Sequence, residues 1–308
     1  MKAPIPKPPS RDGIAAATLH LPAGPWTSVF DCLVAHFASI PAAEWSSRFQ
    51  RGLVLDASGQ PLSIDAGYRE GLRVHYYREV PAEPRIPFEA SILYRDDHLL
   101  VADKPHFLPV SPVGGYVRET LLTRLQQSLG NSELVPLHRI DRGTAGLILF
   151  STNRASRAAY QALFREQRIE KEYAAIAPPL PHLDFPLTRR TRIERGEPFV
   201  LSREVAGLAN TQTRIEVTSA SGEWWRYALF PTTGKKHQLR VHLAALGAPI
   251  RNDDFYPTLL ERDPYDFSRP LQLLAKALSF LDPLSGARRA FVSTLELQAN
   301  PATHPAGH

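Results

Sequence analysis

An aspartate stands among cationic side chains in the segment HRIDRGTAGLILF, residues 138–150. Asp141 is flanked by Arg139 and Arg142, and His138 lies one step further along the chain. Nearby positive charge favours the anionic form of a carboxyl group, so we expect Asp141 to be ionised at neutral pH. An ionised carboxylate that is held in place can act as a nucleophile or a base. An ordinary surface ion pair at the start of a strand explains the same residues, and this segment alone favours that explanation.

A second group of cations lies in GKKHQLRVHLAALG, residues 234–247, which predicts a helix that ends at Gly247. The cationic and polar residues at its start are Lys235, Lys236, His237, Gln238 and Arg240. The first N–H groups of a helix, with cations around them, form a site for an anion. That anion could be a phosphate of a nucleic acid or the carboxylate of Asp141. We expect His242, on the same segment, only to pack as a polar core residue.

The composition of the 308-residue chain fits a globular protein with a basic surface. Its formal net charge is +5 and its pI is about 9.4, which is compatible with a polyanionic partner. The single cysteine, Cys32, excludes an intramolecular disulfide and a cysteine zinc cage, and its apolar neighbours predict a core position. No segment is apolar enough to span a bilayer, and no secretory signal is evident at the start. We therefore expect a cytoplasmic protein without membrane contact.

A proline-rich stretch predicts how the chain is divided into domains. The predicted parts are a flexible tail (1–17), a small domain (18–80), a linker (81–88), a large domain (89–299) and a second tail (300–308). In the small domain, the periodicity predicts an amphipathic helix in residues 28–40, a short helix over Ala42–Gln50, a hairpin that turns at Ser58 and Gly59, and a closing strand.

In the large domain, helical segments are interspersed irregularly among hairpins. Hairpins are predicted around Asp96–Asp97 and around Asp282–Pro283, and a strand over residues 171–177. Helices are predicted within residues 115–130 and within residues 153–169, the latter with Asn153 as its N-cap. This order predicts an α+β fold with a mixed, mostly antiparallel sheet and flanking helices, beside a small α/β domain.

Taken together, the segments resemble the RluA family of pseudouridine synthases. Residues 138–147 are similar to the family's His-Arg-Leu-Asp-Arg-x-Thr-Ser-Gly-Leu, and residues 234–242 to its Gly-Arg-x-His-Gln-Leu/Ile-Arg-Val-His, with Lys235 in place of the arginine. Further similarities are KEY (171–173) to the family's Lys-x-Tyr, residues 94–105 to its opening hairpin, and residues 271–286 to its closing strand. The segments occur in the family's order between Ser91 and Phe291, which makes the resemblance far more specific than one motif.

The resemblance implies roles for individual residues in a central RNA-binding cleft. Asp141 would be the essential aspartate that attacks the ribose of a target uridine or takes a proton from it. Tyr173 would pack against the uracil ring and is the candidate for accepting the proton of its carbon 5. Arg240 would pair with Asp141, Arg139 would fill the place of the flipped base, and Leu273 would support the base. Further RNA contacts would come from His138, Arg142, Lys235, Lys236, His237 and Gln238.

The same resemblance implies an RNA partner, ribosomal RNA first and transfer RNA second. We expect a monomer, because no extra apolar surface is evident in the sequence. Isomerisation of uridine involves no redox change and no group donor, so no cofactor and no metal are expected. The small domain resembles the alpha-L (ribosomal protein S-four type) RNA-binding motif, in which Arg48 and Arg51 would contact RNA. A docking domain without RNA contact is the alternative for this part.

Two other functions were weighed. A catalytically silent RNA-binding or ribosome-assembly factor would use the same basic cleft, but it has no physical reason to keep Asp141, Tyr173 and Arg240 together. A metal-dependent nuclease would need Asp253 and Asp254, but adjacent acidic side chains point in different directions, and we expect these two residues to form a turn.

Overall fold

The computed structural model describes residues 8–9, 11, 16–79 and 83–298, which form two compact units. The first unit contains the chain up to Glu83 together with Val113–Arg118, and the second contains Pro84–Pro112 and the chain from Glu119 onward. The predicted tails and the start of the predicted linker lie largely outside the described residues. The domain limits at 18–80 and 89–299 stay predictions.

The small unit has a three-stranded antiparallel sheet in the order β1-β3-β2 and two helices. Its elements are β1 (Ala17–His20), α1 (Val29–His36), α2 (Ala42–Gln50), β2 (Val54–Leu55) and β3 (Arg73–Tyr76). Strand β1 was missed, since it begins at the last residue of the predicted tail. Helix α1 starts where the Ser28 side chain accepts the Asp31 N–H, and it buries Cys32 in the core as predicted.

The hairpin predicted after α2 is much reduced. Its turn is present, because the Asp56 carboxylate accepts the N–H groups of Ser58 and Gln60. Beyond the turn, Leu55 faces Pro61 in a single bridge rather than a continued strand. Proline lacks the N–H that a strand pair needs, which accounts for the early end of the pairing.

The large unit is built on an eleven-stranded sheet with three helices within the described residues. Its elements are β4 (Ser91–Arg95), β5 (Leu99–Lys104), α3 (Leu121–Leu129), β6 (Val135–Pro136), β7 (Ala145–Ser151), α4 (Arg157–Arg165), β8 (Glu170–Ala177), β9 (Leu187–Arg195), β10 (Ser202–Val205), β11 (Thr211–Ser219), β12 (Trp225–Pro231), α5 (Gln238–Ala245), β13 (Leu273–Leu281) and β14 (Arg288–Val292). The strand order is β10-β9-β11-β12-β8-β13-β7-β5-β4, with β14 paired to β13 and β6 paired to β7. All the pairs are antiparallel except β7 with β13, so the predicted α+β fold is confirmed.

Two predicted helices begin later than the sequence suggested. Helix α4 begins at Arg157 after Ser156, while the Asn153 side chain accepts the Ala155 N–H and shapes the turn before the helix. Helix α3 begins after Thr120, whose hydroxyl accepts the Thr123 N–H. The error at α4 arises because a polar residue that can cap a helix can equally close a turn.

Strand β13 joins the two halves of the large sheet. Its first residues pair in parallel with the start of β7, Leu274 opposite Ala145 and Ala275 opposite Gly146. On its other side it runs antiparallel to β8, where Ala275 lies opposite Tyr173. The start of β7 and the middle of β8 therefore meet at the same place in the sheet.

Candidate active site

The loop that carries Asp141, residues 138–144, leads directly into β7 at a point of very close strand contact. Gly146 has a φ of +107°, and a Cβ atom placed on it would lie 2.3 Å from the Ala275 carbonyl oxygen of β13. Any side chain at this position would force the strands apart. Glycine thus allows β7 to reach β13 and holds the Asp141 loop at the junction of the sheet.

Lys104, at the end of β5, holds the main chain of this loop through hydrogen bonds. Its buried ammonium group donates to the carbonyl oxygens of Pro105 (2.9 Å), Leu108 (2.7 Å) and Arg142 (3.2 Å). Burial lowers the pKa of Lys104 to about 7, although the negative charge of Asp141 opposes the shift. The residue after Asp141 is therefore tied to a neighbouring strand through its backbone.

Two neutral histidines add further support to the loop. His106 Nδ1 lies 2.7 Å from the Gly143 carbonyl oxygen, and burial lowers the pKa of His106 to about 4, so its neutral ring donates this bond. His138 Nε2 accepts the Leu149 N–H at 3.0 Å, and its ring stacks on Phe164. Burial lowers the pKa of His138 to about 3. Both rings therefore position the loop, and neither carries charge at neutral pH.

Arg240 of α5 stands between two aspartates. One nitrogen lies 3.2 Å from Asp141 Oδ2, while two others contact Asp253 Oδ2 and Oδ1 at 2.8 and 2.6 Å. The Asp253 side chain is fully buried and also accepts the N–H groups of Phe255 and Tyr256. A two-pronged pair of this kind fixes the plane of the guanidinium group. The remaining N–H is thereby directed at Asp141.

These contacts keep Asp141 anionic although it lies deep in the cleft. Burial by itself raises the pKa of Asp141, but the positive charge and hydrogen bond of Arg240 and the charge of Arg139 outweigh it. The pKa therefore lies below the ordinary value of an aspartate. The side chain is still 25% exposed, so a substrate can reach the carboxylate. The arrangement supplies an accessible nucleophile or base.

His237 connects Asp141 to a second hydrogen-bonded chain. Its Nε2 lies 3.7 Å from Asp141 Oδ1, and its Nδ1 lies 2.8 Å from the Tyr256 hydroxyl, which accepts the Ser202 N–H. Burial lowers the pKa of His237 to about 4, although the negative charge of Asp141 opposes the shift. The Tyr256 hydroxyl can also donate its own proton to Nδ1, and the negative charge of Asp141 near Nε2 favours the tautomer in which it does so. The neutral ring then carries its proton on Nε2, facing Asp141.

Tyr173 and Leu273 line the cleft opposite the loop, on β8 and β13. Leu273 is buried, whereas Tyr173 is partly exposed to the cleft. Burial and the negative charge of Asp141 raise the pKa of Tyr173 well above its ordinary value. Tyr173 is therefore a neutral phenol at neutral pH.

The cleft has a volume of about 830 Å³, which is large enough for a nucleotide. It brings together most of the residues that the sequence singled out, namely His138, Arg139, Asp141, Tyr173, Lys235, Lys236, His237, Gln238, Arg240 and Leu273. Arg139, Lys235 and Lys236 are exposed at its mouth, whereas Arg240 and Asp141 lie inside. The charge at the mouth suits the phosphates of a polyanion.

Several polar residues predicted to contact RNA are used within the protein instead. The Arg142 guanidinium lies over the Phe107 ring and donates to the Pro264 carbonyl, away from the cleft lining. Gln238 lines the cleft, but its side-chain oxygen accepts from Lys235 N–H and its amide group donates to Thr213. His138 is likewise a support of the loop, as described above. A position near Asp141 or near the start of the helix in sequence therefore did not determine whether a side chain points into the cleft.

Arg48 and Arg51 of the small unit, both predicted to contact RNA, meet carboxylates of the same chain. Arg48 is 2% exposed, pairs with Glu44 and lies over the Trp45 ring, 4.8 Å from its centroid. Arg51 makes two hydrogen bonds of 2.7 Å to the carboxylate of Glu79. The burial of Arg48 contradicts an RNA contact for this residue, and the guanidinium of Arg51 is already occupied by a carboxylate.

Some functional residues were missed from the sequence. Asp253 was expected to form a turn, and the turn exists, but its main contact is the pair with Arg240. This pairing leaves no support for a metal ligand at Asp253. No pattern in the sequence distinguished Tyr256 or Lys104, because a single tyrosine or lysine is common at protein surfaces. The one available clue for Asp253 was its position just after the helix of Arg240.

Residues 8–9, 11, 16–79 and 83–298 contain no cluster of three or more histidine, cysteine, aspartate or glutamate side chains suited to a metal ion. In the same part of the chain, no helix is both long enough and apolar enough to cross a membrane.

Comparison with known proteins identifies the family. A model described as RNA pseudouridylate synthase matches residues 98–245. A protein of Synechocystis sp. named as an uncharacterized RNA pseudouridine synthase is 30% identical over 219 residues, which are 69% of this chain and 73% of that protein. The dual-specificity RNA pseudouridine synthase RluA of Escherichia coli (strain K12) is 32% identical over 216 residues, 65% of this chain and 90% of its own.

A solved structure shows the same fold. The human RNA pseudouridylate synthase domain containing 1 superposes with a TM-score of 0.54 at 23% identity, covering 69% of this chain and 86% of the human chain. The comparisons support an enzyme and give no support to a catalytically silent factor. This chain therefore belongs to the RluA-type pseudouridine synthases, isomerases that act on RNA.

Proposed function

We propose that this enzyme converts a uridine of ribosomal RNA or transfer RNA to pseudouridine, with Asp141 as its catalytic carboxylate. The observation that carries the assignment is the ionised Asp141, aimed by the Arg240–Asp253 pair into a cleft with a basic mouth. Ribosomal RNA is the first expectation and transfer RNA the second. The proposal includes a monomer that works in the cytoplasm without a cofactor.

The reaction breaks the bond between N1 of uracil and C1′ of ribose and forms a bond between C5 and C1′. The proton of C5 is lost and N1 gains one, so the product is an isomer of the substrate. Asp141 acts on the ribose, either by attack on C1′ or by taking a proton from the sugar. The target base must leave the helical stack to reach Asp141, and Arg139, exposed at the mouth, fills the space that it leaves.

Tyr173 packs against the uracil ring and accepts the C5 proton. Its phenol is neutral in the free enzyme because burial and the charge of Asp141 raise its pKa. When Asp141 forms a covalent bond or takes up a proton, its negative charge is lost and one cause of the raised pKa disappears. The phenol can then lose its own proton to the solvent more easily, and the resulting phenolate accepts the C5 proton while N1 takes up a proton from the solvent.

The small unit has a different role in this proposal. Arg48 is buried against Glu44, and Arg51 is paired with Glu79, so helix α2 offers little free positive charge. This favours the docking alternative over RNA contact through an alpha-L motif. The phosphate contacts come instead from Arg139, Lys235 and Lys236 in the large unit.

Carbodiimide mapping of pseudouridine in total RNA, from cells with and without the gene, tests the function. We expect one or a few sites to disappear in the deletion and to return with the wild-type gene. The variant Asp141→Asn should not restore them, and its turnover in vitro should fall at least about 10⁴-fold because the catalytic carboxylate is lost. RNA affinity and the unfolding midpoint should stay near wild type. Restoration of the sites by Asp141→Asn would remove Asp141 from the chemistry.

Tyr173→Phe tests the proton acceptor separately. Loss of the hydroxyl keeps the ring that packs on uracil, so we expect kcat to fall by about 10² or more, with RNA affinity changed less than about threefold. Release of tritium from C5 of labelled uridine in single-turnover reactions measures this step directly. An unchanged rate of tritium release would exclude Tyr173 as the acceptor.

A further inference from the structure

A second groove opens beside the catalytic cleft, with a volume of about 350 Å³. Its lining comes from the β9–β10 hairpin and from the segment before α5, namely Ile193, Glu194, Arg195, Phe199, Leu201, Ser202, Lys235 and Lys236. Lys235 and Lys236 also line the catalytic cleft, so the groove and the cleft meet at these two cations. None of the roles assigned above uses the hairpin side of the groove.

Phe199 presents an aromatic face at the tip of the hairpin. The residue is 65% exposed, and the Arg195 guanidinium lies 5.1 Å from the centre of its ring. Single exposed apolar residues are common and need no function. This one differs because it lines a groove, has a cation against its ring and is continuous with a site for a nucleotide.

The hairpin tip is held in place by backbone hydrogen bonds. Gly196 N–H donates to the Leu201 carbonyl at 3.0 Å, and Leu201 N–H donates to the Pro198 carbonyl at 2.9 Å. Where the loop joins β10, Ser202 N–H donates to Tyr256, which in turn contacts His237. The ring of Phe199 is thus presented on a supported loop rather than on a free end.

The charge around the groove is positive. Burial lowers the pKa of Lys236, and the nearby charges of Arg139, Arg195 and Arg240 add to the effect, while that of Asp141 opposes it. These groups therefore lie within electrostatic range of one another. The one carboxylate of the lining, Glu194, pairs with Arg192 at 2.7 Å, so it does not cancel this field.

We propose that the groove binds a second, unstacked nucleotide of the RNA, adjacent to the target uridine. The inference rests on the activity on RNA established above. The base stacks on Phe199, and its phosphate lies between Arg195 and Lys236. An aromatic face stacks on any base, and cations beside it hold the backbone, which is how proteins bind single-stranded nucleic acids. The groove therefore holds RNA in an opened conformation and takes no part in the isomerisation.

Fluorescence of 2-aminopurine tests the stacking. The catalytically impaired Asp141→Asn variant is mixed with two RNA probes. The first is an oligouridylate that carries one 2-aminopurine. The second is the stem-loop identified by the pseudouridine mapping, labelled with 2-aminopurine on one side or the other of the target uridine. We expect quenching on binding at one adjacent position. Phe199→Ala should abolish it and Phe199→Trp should retain it. Leu208→Ala is the matched control, because Leu208 is 88% exposed in the neighbouring turn but does not line the groove.

Kinetics with the otherwise wild-type enzyme supply the second readout. Phe199→Ala should lower kcat/KM for the stem-loop by roughly 10- to 100-fold and leave kcat at saturating RNA nearly unchanged. An abasic residue at the adjacent position should lower wild-type kcat/KM to the level of Phe199→Ala and should not affect that variant further. Additive losses, or quenching that survives Phe199→Ala, would overturn the proposal. If Asp141→Asn loses turnover but keeps the quenching, the catalytic role of Asp141 and the nucleotide-binding role of the groove are shown to be separate.

Discussion

In the small unit Arg48 and Arg51 meet carboxylates, whereas at the mouth of the cleft Arg139, Lys235 and Lys236 form no ion pair within the described part of the chain. The sequence places basic residues in both regions, two in the small unit and three at the mouth of the cleft. Their difference lies in the acidic neighbours, Glu44 and Glu79, that α2 and the end of the small unit supply. A cluster of cations therefore indicates an RNA surface only where no carboxylate of the same chain neutralises it.

Arg240 shows a third use of an arginine, since its ion pairs join Asp141 to Asp253, and in the proposed function they position the catalytic carboxylate. Arg240→Gln should lower kcat/KM by about 10²- to 10³-fold, because Asp141 loses both its direction and its charge partner. The variant should also change the pH profile. Arg240 holds the pKa of Asp141 below its ordinary value, and without it burial raises that pKa. Since the ionised form is required, the acid limb of kcat/KM should move to higher pH.

Single-turnover rates between pH 4 and 8 measure this shift. Arg240→Lys is the matched control, because it keeps the charge but cannot make the two-pronged contact with Asp253. We expect it to retain an acid limb nearer to that of the wild type, with a reduced rate. An acid limb that does not move in Arg240→Gln would mean that Arg240 does not control the ionisation of Asp141.

The cations at the mouth should give a smaller effect, on binding alone. The double variant Lys235→Ala with Lys236→Ala should raise the RNA Kd roughly tenfold at moderate salt. It should also reduce the slope of log K against log salt by about 1.4, since each lost phosphate contact on a single strand removes about 0.7. Filter binding over a range of salt concentrations checks both numbers. An unchanged slope would show that these lysines do not contact phosphates.

The smallest effect is expected in the small unit. Arg51→Ala should change the RNA Kd less than about twofold and leave the salt slope unchanged, because its guanidinium is already paired with Glu79. The same titration provides the comparison with the lysine variants. If the salt slope of Arg51→Ala fell as much as that of the double lysine variant, Arg51 would contact phosphates as in an alpha-L motif, and the two units would not differ in RNA binding.

Sequence reasoning was most successful where a motif and a secondary structure coincide. The strand after Asp141, the strand of Tyr173, the helix of Arg240 and the α+β fold were all predicted, since apolar periodicity and ordered motifs specify them locally. The meeting of Asp141 and Arg240, 99 residues apart, was one of two possibilities that the residues left open, and only the family resemblance favoured it.

Residues that depend on the direction of a side chain were harder to predict. Arg142 follows Asp141 directly, yet its guanidinium lies over the Phe107 ring. Asp253, 13 residues after Arg240, pairs with the Arg240 guanidinium. A sequence gives the order of such residues but not which face of a loop each one occupies. Tyr256 and Lys104 were missed for a related reason, since each has one backbone partner that is distant in sequence, the Ser202 N–H for Tyr256 and the Arg142 carbonyl for Lys104.

The parallel contact between β7 and β13 has a mechanical consequence. The wall with Asp141 belongs to one half of the sheet and the wall with Tyr173 to the other, and β13 pairs with both. The backbone spacing at this junction therefore sets how far the start of β7, which follows the Asp141 loop, lies from the strand that carries Tyr173. Where Gly146 meets Ala275, one added methyl group would act as a wedge and widen the gap across which the uracil must turn.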